Sequence, residues 1–147
     1  MTPQRPAPRP DPLEAQYWAH VAQGRLCLQA CDDCGTFRYP PSPVCPDCES
    51  AAATWTDLSG RGQIVAWTIF HRSYFPGLQA PYTVVSVETA EGPLLVGNLI
   101  DSDGPRPVIG SPVEAVIQPA DFTDGTSGRI CHWRRNLPPG SLKGNTP

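Results

Sequence analysis

Four cysteines lie in two closely spaced pairs in the first third of the chain. They follow the spacing C-x₂-C-x₁₀-C-x₂-C and are Cys31, Cys34, Cys45 and Cys48. Thiolates are ligands that tetrahedral Zn²⁺ prefers, and each C-x₂-C turn presents two of them on one side of a metal. Because sulfur would fill all four positions, no position remains for a catalytic water. The spacing therefore predicts one structural zinc per chain.

Two other uses of paired cysteines are disulfide bonds and a redox-active dithiol. Disulfides persist in oxidising compartments, and residues 1–12 contain no apolar stretch of the kind found in export signals. A redox-active C-x₂-C normally lies at the start of a helix in a βαβ unit, and the sequence around these cysteines does not show a βαβ pattern. No apolar run approaches the roughly 18 residues of a membrane span. The sequence thus favours zinc, a cytoplasmic location and no membrane contact.

Composition and charge restrict the class of partner. The 147 residues include 19 prolines and 13 glycines, which favours β structure with many turns over a helical bundle. The net charge is −3, and a zinc bound by four thiolates would bring it to about −5. The eleven basic residues are dispersed, so the surface disfavours a phosphate backbone. A single-stranded nucleic-acid-binding module, which OB-folds and zinc ribbons often form, remains the alternative.

The pattern divides the chain into five segments. They are a disordered proline-rich arm (1–10), a helix (11–24), a zinc ribbon (25–56), an OB-fold barrel (57–135) and a disordered tail (136–147). The helix has the signature of a capping box, with Asp11 as N-cap and Glu14 three residues later, and Gly24 is its expected end. An apolar stripe at four-residue spacing (Leu13, Tyr17, Val21) is expected to pack on its own domain.

Alternating apolar residues predict three ribbon strands and five barrel strands. The barrel strands are expected at 62–72, 82–89, 94–100, 113–118 and 129–134, with a polar loop at 121–128. In the first of them, Ile64 and Ala66 are predicted to face one side and Val65 and Trp67 the other. The fold class is therefore mostly β, with an N-terminal helix, a rubredoxin-like ribbon and a five-stranded OB barrel. An SH3-like barrel fits the same pattern.

Several stretches closely resemble one known family. They are "RLCLQACDDCGTFRYPPSPVCPDC", "LSGRGQIVAWT", "PYTVVSVETAEGPLLVGNLI" and "IGSPVEA". The order resembles proteins that join a rubredoxin-like zinc ribbon to an OB-fold and accompany thiolase-superfamily enzymes, and it covers roughly residues 12–135. The resemblance implies a non-catalytic partner of a thiolase, a synthase or a steroid side-chain aldolase acting on acyl-CoA. It also implies contact with a MaoC-type enoyl-CoA hydratase, and a barrel that bridges enzymes or accommodates CoA.

Two sets of residues are candidates for those contacts. Exposed aromatic and aliphatic side chains are enriched at interfaces, which makes Trp18, Tyr74, Phe75 and Leu78 the candidate partner-binding residues. The phosphates of CoA would need arginine or backbone N–H donors, and the candidates are Arg61, Arg72, Arg134 and Arg135. Alternatively, the aromatic loop folds back over the end of the barrel. The alternative for the four arginines is that they are solvated surface residues.

Independent catalysis has little support in the sequence. The three histidines fall on different elements, and no nucleophile motif surrounds any of them. Cys27 and Cys131 are interpreted as small buried hydrophobic residues in strands. No catalytic residue is therefore assigned, and an independent acyl-CoA-binding protein is a further alternative to the partner role.

Overall fold

A computed structural model describes residues 4–101 and 104–136 of the chain. The predicted tail beyond residue 136 and the first three residues of the predicted arm lie outside these ranges. The elements within them, in chain order, are β1 (Gln4–Arg5), α1 (Glu14–Ala22), β2 (Cys27–Cys31), β3 (Phe37–Arg38), β4 (Ala53–Asp57), β5 (Arg61–Phe70), β6 (Tyr82–Thr89), β7 (Leu94–Asn98), β8 (Pro112–Phe122) and β9 (Ser127–Arg135).

Helix α1 is capped as the sequence predicts. The Asp11 Oδ1 atom accepts hydrogen bonds from the backbone N–H groups of Leu13 and Glu14, both at 2.8 Å. The Glu14 carboxylate accepts in return from the Asp11 N–H at 3.3 Å, which completes a capping box. At the other end, Gly24 has a φ of 78°, a conformation that ends helices and costs glycine little.

Replacing Asp11 with alanine should lower the free energy of unfolding by about 1 kcal/mol, because two N–H groups of the first turn would lose their acceptor. Urea denaturation measures this change. Gln16→Ala, an exposed substitution in the same helix, is the control and should leave stability nearly unchanged. Equal stability of the Asp11→Ala and wild-type chains would show that the capping box contributes nothing.

The ribbon is a three-stranded antiparallel sheet in the order β3-β2-β4, with Cys27–Cys31 of β2 paired to Ala53–Asp57 of β4. The predicted alternation of strands and cysteine knuckles is confirmed. Leu26 and Leu28 are buried and belong to the same hydrophobic cluster as the barrel interior. The ribbon and the barrel therefore share one core, and the ribbon's position on the barrel is fixed by packing.

The barrel has the five-strand order of an OB-fold. Strands β5, β6 and β7 form a meander, β8 returns to pair with β5, and β9 pairs with β8. A parallel bridge between Leu99 and Trp133 joins the end of β7 to β9, and the Ile100 N–H donates to the Trp133 carbonyl at 2.9 Å. This contact closes the sheet around a core that includes Val85, Val87 and Trp133.

Two details of the predicted strands are wrong. The register of β5 against β6 shifts between Ile64 and Ala66, so Ile64 and Trp67 both pack on the core while Ala66 is exposed. A β-bulge adds one residue and so reverses the alternation beyond it. The predicted polar loop 121–128 is a tight hairpin, because the Phe122 N–H donates to the Thr126 carbonyl at 2.8 Å.

The proline-rich arm is also more ordered than predicted. Gln4 and Arg5 pair in parallel with Asp121 and Phe122 of β8, and the Thr123 N–H donates to the Arg5 carbonyl at 2.9 Å. These bonds to a distant strand make the prediction of a disordered arm wrong for this stretch. The arm lies along the end of the barrel and is part of the six-stranded sheet.

Helix α1 packs on its own domain, as its apolar stripe predicts. Val21 is fully buried, and Tyr17 packs against the common core. Tyr17 also contacts Trp18 and Tyr39 edge to face, with ring centroids 5.4 and 6.1 Å apart. Within the described ranges, no helix is long and apolar enough to cross a membrane.

Candidate metal centre and docking surface

The two cysteine knuckles have the same backbone geometry. The Gly35 N–H donates to the Cys31 carbonyl at 2.9 Å, and the Glu49 N–H donates to the Cys45 carbonyl at 3.0 Å. Gly35 and Glu49 each follow the second cysteine of a pair, and both have positive φ angles, of 78° and 61°. Such a turn directs both sulfurs of a pair to one side. The four sulfurs of the two knuckles therefore point toward a common centre.

The four sulfur atoms form a set that fits one tetrahedral zinc. All lie within 4.8 Å of one another, and the Cys31–Cys48 and Cys34–Cys45 Sγ atoms are each 3.5 Å apart. Zn–S bonds of about 2.3 Å place the sulfurs of a tetrahedron about 3.8 Å apart. The closest pairs of sulfurs are 3.5 Å apart, well beyond the ~2.05 Å of a disulfide bond, so the arrangement fits a metal site better than two disulfides. The site is therefore suited to one structural zinc.

Hydrogen bonds shift the pKa values of two of these thiols in opposite directions. The Cys34 N–H group donates to Cys31 and lowers the pKa of Cys31 to about 6. The Ser50 N–H group lowers the pKa of Cys48, but hydrogen bonds with the Cys34 and Cys31 sulfurs raise this pKa overall, to about 12. Four thiolates at these distances repel one another, so all four ionise together only around a metal.

Arg38 holds the second knuckle in place from inside the ribbon. Its side chain is almost fully buried, and it donates to the backbone carbonyls of Ser42, Ser50 and Ala52 at 3.2, 2.8 and 3.1 Å. Its guanidinium also helps lower the pKa of the Cys31 thiol. A buried guanidinium beside a thiolate cluster offsets the negative charge of the site. The role of Arg38 could not be predicted from the sequence, because a lone arginine on a strand carries no local signal of burial.

Three of the four predicted partner-binding residues surround one groove. Trp18 of α1 meets Phe75 and Leu78 of the loop between β5 and β6, in a groove of about 310 Å³. Arm residues Pro6 and Pro8 line the same groove. Trp18 is only half-buried, which leaves its ring accessible from the groove. The groove is therefore an exposed apolar surface built from parts of the chain far apart in sequence.

The fourth partner candidate, Tyr74, lies on an adjoining aromatic surface outside this groove. It is 59% exposed and contacts Phe70 edge to face, and Phe70 stacks on Tyr82 with ring centroids 5.0 Å apart. The Arg72 guanidinium lies 5.7 Å from the centre of the Tyr74 ring, within the range of a cation–π contact. One predicted CoA-binding residue thus lies beside one predicted partner-binding residue.

The other arginine candidates lie at the opposite end of β5 from Arg72. Arg61 and Arg134 flank Glu114 on neighbouring strands, and Arg134 forms an ion pair with Glu114 through two N–H groups. Arg135 donates to the backbone carbonyls of Asp101 and Pro105, at 2.7 and 2.5 Å. The four arginines therefore do not converge on one anion site, and Arg134 and Arg135 already have partners.

The remaining thiols are poor nucleophiles. Burial, together with a hydrogen bond to Asp57, raises the pKa of Cys27 to about 11, and burial raises the pKa of Cys131 to about 11. Burial lowers the pKa of the adjacent His132 to about 4. Both thiols are therefore protonated near neutral pH, whereas nucleophilic cysteines need an activated thiolate.

Sequence reasoning missed some residues of the exposed surface. Arg5, Phe122 and Ile130 line the groove described above, but the arm shows only a proline-rich composition and the sequence of the hairpin predicts a polar loop. Leu94, Val96, Val108 and Ile109 form a second set of exposed apolar side chains, each more than half exposed. The exposed positions of Leu94 and Val96 could have been found by separating the two faces of the predicted strand 94–100.

Fold and site together define a zinc-ribbon/OB-fold protein with a structural metal centre. The profile of the family "ChsH2, rubredoxin-like zinc ribbon domain" matches residues 18–53, and that of "ChsH2, C-terminal OB-fold domain" matches residues 55–118. These matches cover more than half of the chain. The chain belongs to the ChsH2 family, also called DUF35, and the resemblance found in the sequence is confirmed.

The chain is similar to two named proteins and to one solved structure. A "DUF35 domain-containing scaffold protein" of Methanocaldococcus jannaschii is 30% identical over 87% of this chain and 92% of that protein. A "probable enoyl-CoA hydratase alpha subunit" of Thermomonospora curvata is 38% identical over 76% of this chain, which spans only 37% of that protein's length. The solved "Ltp2-ChsH2(DUF35) aldolase" matches with a TM-score of 0.74 and 30% identity, over 89% of this chain and 100% of the matched chain.

Proposed function

We propose that this protein is a non-catalytic accessory subunit that binds and supports a thiolase-like enzyme acting on acyl-CoA thioesters. The observation that carries the proposal is the likeness to a chain of the Ltp2-ChsH2(DUF35) aldolase over that chain's whole length. The scaffold relative of similar length supports the same role. This likeness favours an aldolase as the partner, and we propose that it cleaves a side chain, as in steroid degradation.

The architecture suits a rigid adaptor. The zinc fixes the knuckles, and the common core fixes the ribbon on the barrel. Trp18, Phe75 and Leu78 form an apolar surface on this rigid body, and Tyr74 extends it. Exposed apolar surfaces of this kind mark contact sites on small proteins. These four residues are the proposed contact with the enzyme.

CoA is proposed to lie at the boundary between this subunit and its partner. Arg72 is exposed beside Tyr74. The Arg72 guanidinium could donate hydrogen bonds to a phosphate of CoA, and the Tyr74 ring offers an aromatic face to the adenine. Arg61 is a second exposed donor. Arg134 and Arg135 would first have to leave Glu114 and two backbone carbonyls, which makes them weaker candidates for CoA binding.

A second enzyme of the MaoC type is proposed as a further partner, because one relative is named as an enoyl-CoA hydratase subunit. The compartment we propose is the cytoplasm. Six free thiols are typical of a reducing environment, where a zinc tetrathiolate persists without oxidation.

The test is co-expression with a thiolase-like aldolase of the same genome, followed by size-exclusion chromatography with light scattering. We expect one peak containing both chains. Cleavage of an acyl-CoA substrate should be at least about tenfold faster with this subunit than without it, which corresponds to a lowering of the activation free energy by ~1.4 kcal/mol. Binding of a single-stranded oligonucleotide at physiological salt, with no complex and no change in enzyme activity, would contradict the proposal.

A further inference from the structure

The groove beside Trp18 contains one charged lining residue, Arg5, and the rest of its wall is apolar. The Arg5 Nη1 atom donates to the Asn98 Oδ1 atom at 2.8 Å. Across residues 4–101 and 104–136, no carboxylate lies within 4.0 Å of this guanidinium. Arg5 therefore presents a cation to an apolar groove, and its hydrogen-bonding partner is neutral.

The chain holds Arg5 in this position from two sides. Strand β1 pairs with β8 through Gln4 and Arg5, and the tip of the β5–β6 loop packs on the backbone of the arm. At that contact, a Cβ atom on Gly77 would lie 2.0 Å from the Gln4 nitrogen, so only glycine fits there. The cation, Phe75 and Leu78 are thus parts of one surface whose components are packed against each other.

The free N–H groups of Arg5 define the chemistry of a fitting ligand. Nη1 is engaged with Asn98, while Nη2 and Nε donate to no group in the described part of the chain. A carboxylate matches this pair of donors in a planar, bidentate arrangement. Partial burial lowers the pKa of Arg5 from its usual value, as expected for a cation without a nearby carboxylate.

We propose that the groove binds an extended segment of the partner enzyme in which an acidic side chain lies next to a large apolar one. The carboxylate pairs with Arg5, and the apolar side chain packs on Trp18, Phe75 and Leu78. This inference rests on the proposed function and adds to it the chemistry of the contact and the role of the arm.

The shape and charge of the site favour a protein segment over other occupants. A groove of about 310 Å³ is at the lower end of the size range of ligand pockets, and it is open to solvent. An anchoring side chain from a larger interface fits such a hollow. The net charge of −3 disfavours nucleic acid and anionic membranes, which attract strongly basic surfaces.

The first experiment measures the affinity of the full chain for the aldolase by titration calorimetry, with the two proteins expressed and purified separately. Arg5→Glu and Trp18→Ala are each expected to weaken binding by about 10- to 100-fold, because each removes a central anchor. Arg106→Glu has the same charge change at an exposed position outside the groove, and it should bind like the wild type. Zinc content and thermal unfolding are measured for each variant, and Arg5→Met replaces Arg5→Glu if the latter unfolds.

The second experiment identifies the bound segment directly. Leu78→p-benzoylphenylalanine places a photo-crosslinker in the groove, and mass spectrometry identifies the captured aldolase peptide. We expect a single peptide that contains Asp or Glu within a few residues of an aromatic or aliphatic residue. Capture of a peptide without an acidic residue would refute the proposal.

Different results would overturn the proposed function and the proposed binding of an acidic segment. If the wild-type chain forms no complex with the aldolase, the proposed function fails and this inference fails with it. If the complex forms but Arg5→Glu and Trp18→Ala bind as tightly as the wild type, only this inference fails. Loss of binding in Val96→Glu, with both groove variants unaffected, would place the contact on the other exposed apolar set and also overturn it.

Discussion

Replacing Cys31 and Cys34 with serine is expected to abolish zinc binding and unfold the ribbon, residues 25–56. Structural zinc contributes an apparent ~10–16 kcal/mol in small zinc domains, which equals or exceeds the ~5–15 kcal/mol stability of a typical domain. The double variant also leaves Cys45 and Cys48 without a cation to offset their charge. Zinc stoichiometry by elemental analysis, together with circular dichroism, measures the outcome.

The effect should extend beyond the ribbon, because Leu26 and Leu28 belong to the barrel core. We therefore expect the barrel to be destabilised as well and to unfold at a lower temperature than in the wild-type chain. Cys27→Ser, the same substitution at a buried cysteine outside the knuckles, is the control and should retain one zinc per chain. A double variant that still binds one zinc per chain would show that the metal site is assigned wrongly.

Trp133→Ala is expected to reduce the free energy of unfolding by about 3–5 kcal/mol, the usual cost of removing a large aromatic side chain from a core. Trp133 is 1% exposed, and its backbone forms the bridge to Leu99 that closes the barrel. Its ring also lies against Gly97, where an added Cβ would be 3.0 Å from Cδ1. Urea denaturation at saturating zinc measures the loss.

Trp18→Ala provides the matched comparison for this prediction. It removes the same side chain from a half-buried position in the groove, so its loss of stability should be less than half as large. The two tryptophan variants should therefore separate stability from partner binding. A loss at Trp133 no larger than that at Trp18 would mean that the barrel closes by other contacts.

The sequence by itself determined the features that depend on neighbouring residues. The zinc ligands follow from C-x₂-C spacing because each knuckle is a turn of five residues with its own hydrogen bonds. The helix limits follow from Asp11 and Gly24 because capping bonds span only three or four positions. The strands of the meander follow from alternation because burial of one face repeats every second residue.

Only the tertiary structure decided the features that join distant residues. The bulge in β5 depends on its pairing with β6 and β8, and the order of the arm depends on β8, more than a hundred residues away. Arg5 meets Asn98 across 93 positions, and no local pattern records such a contact. Ordering a proline-rich stretch costs conformational entropy, and this cost is offset only where a folded surface supplies hydrogen bonds and packing. The groove therefore depends on the folded chain, whereas the zinc site can be predicted from the spacing of four cysteines.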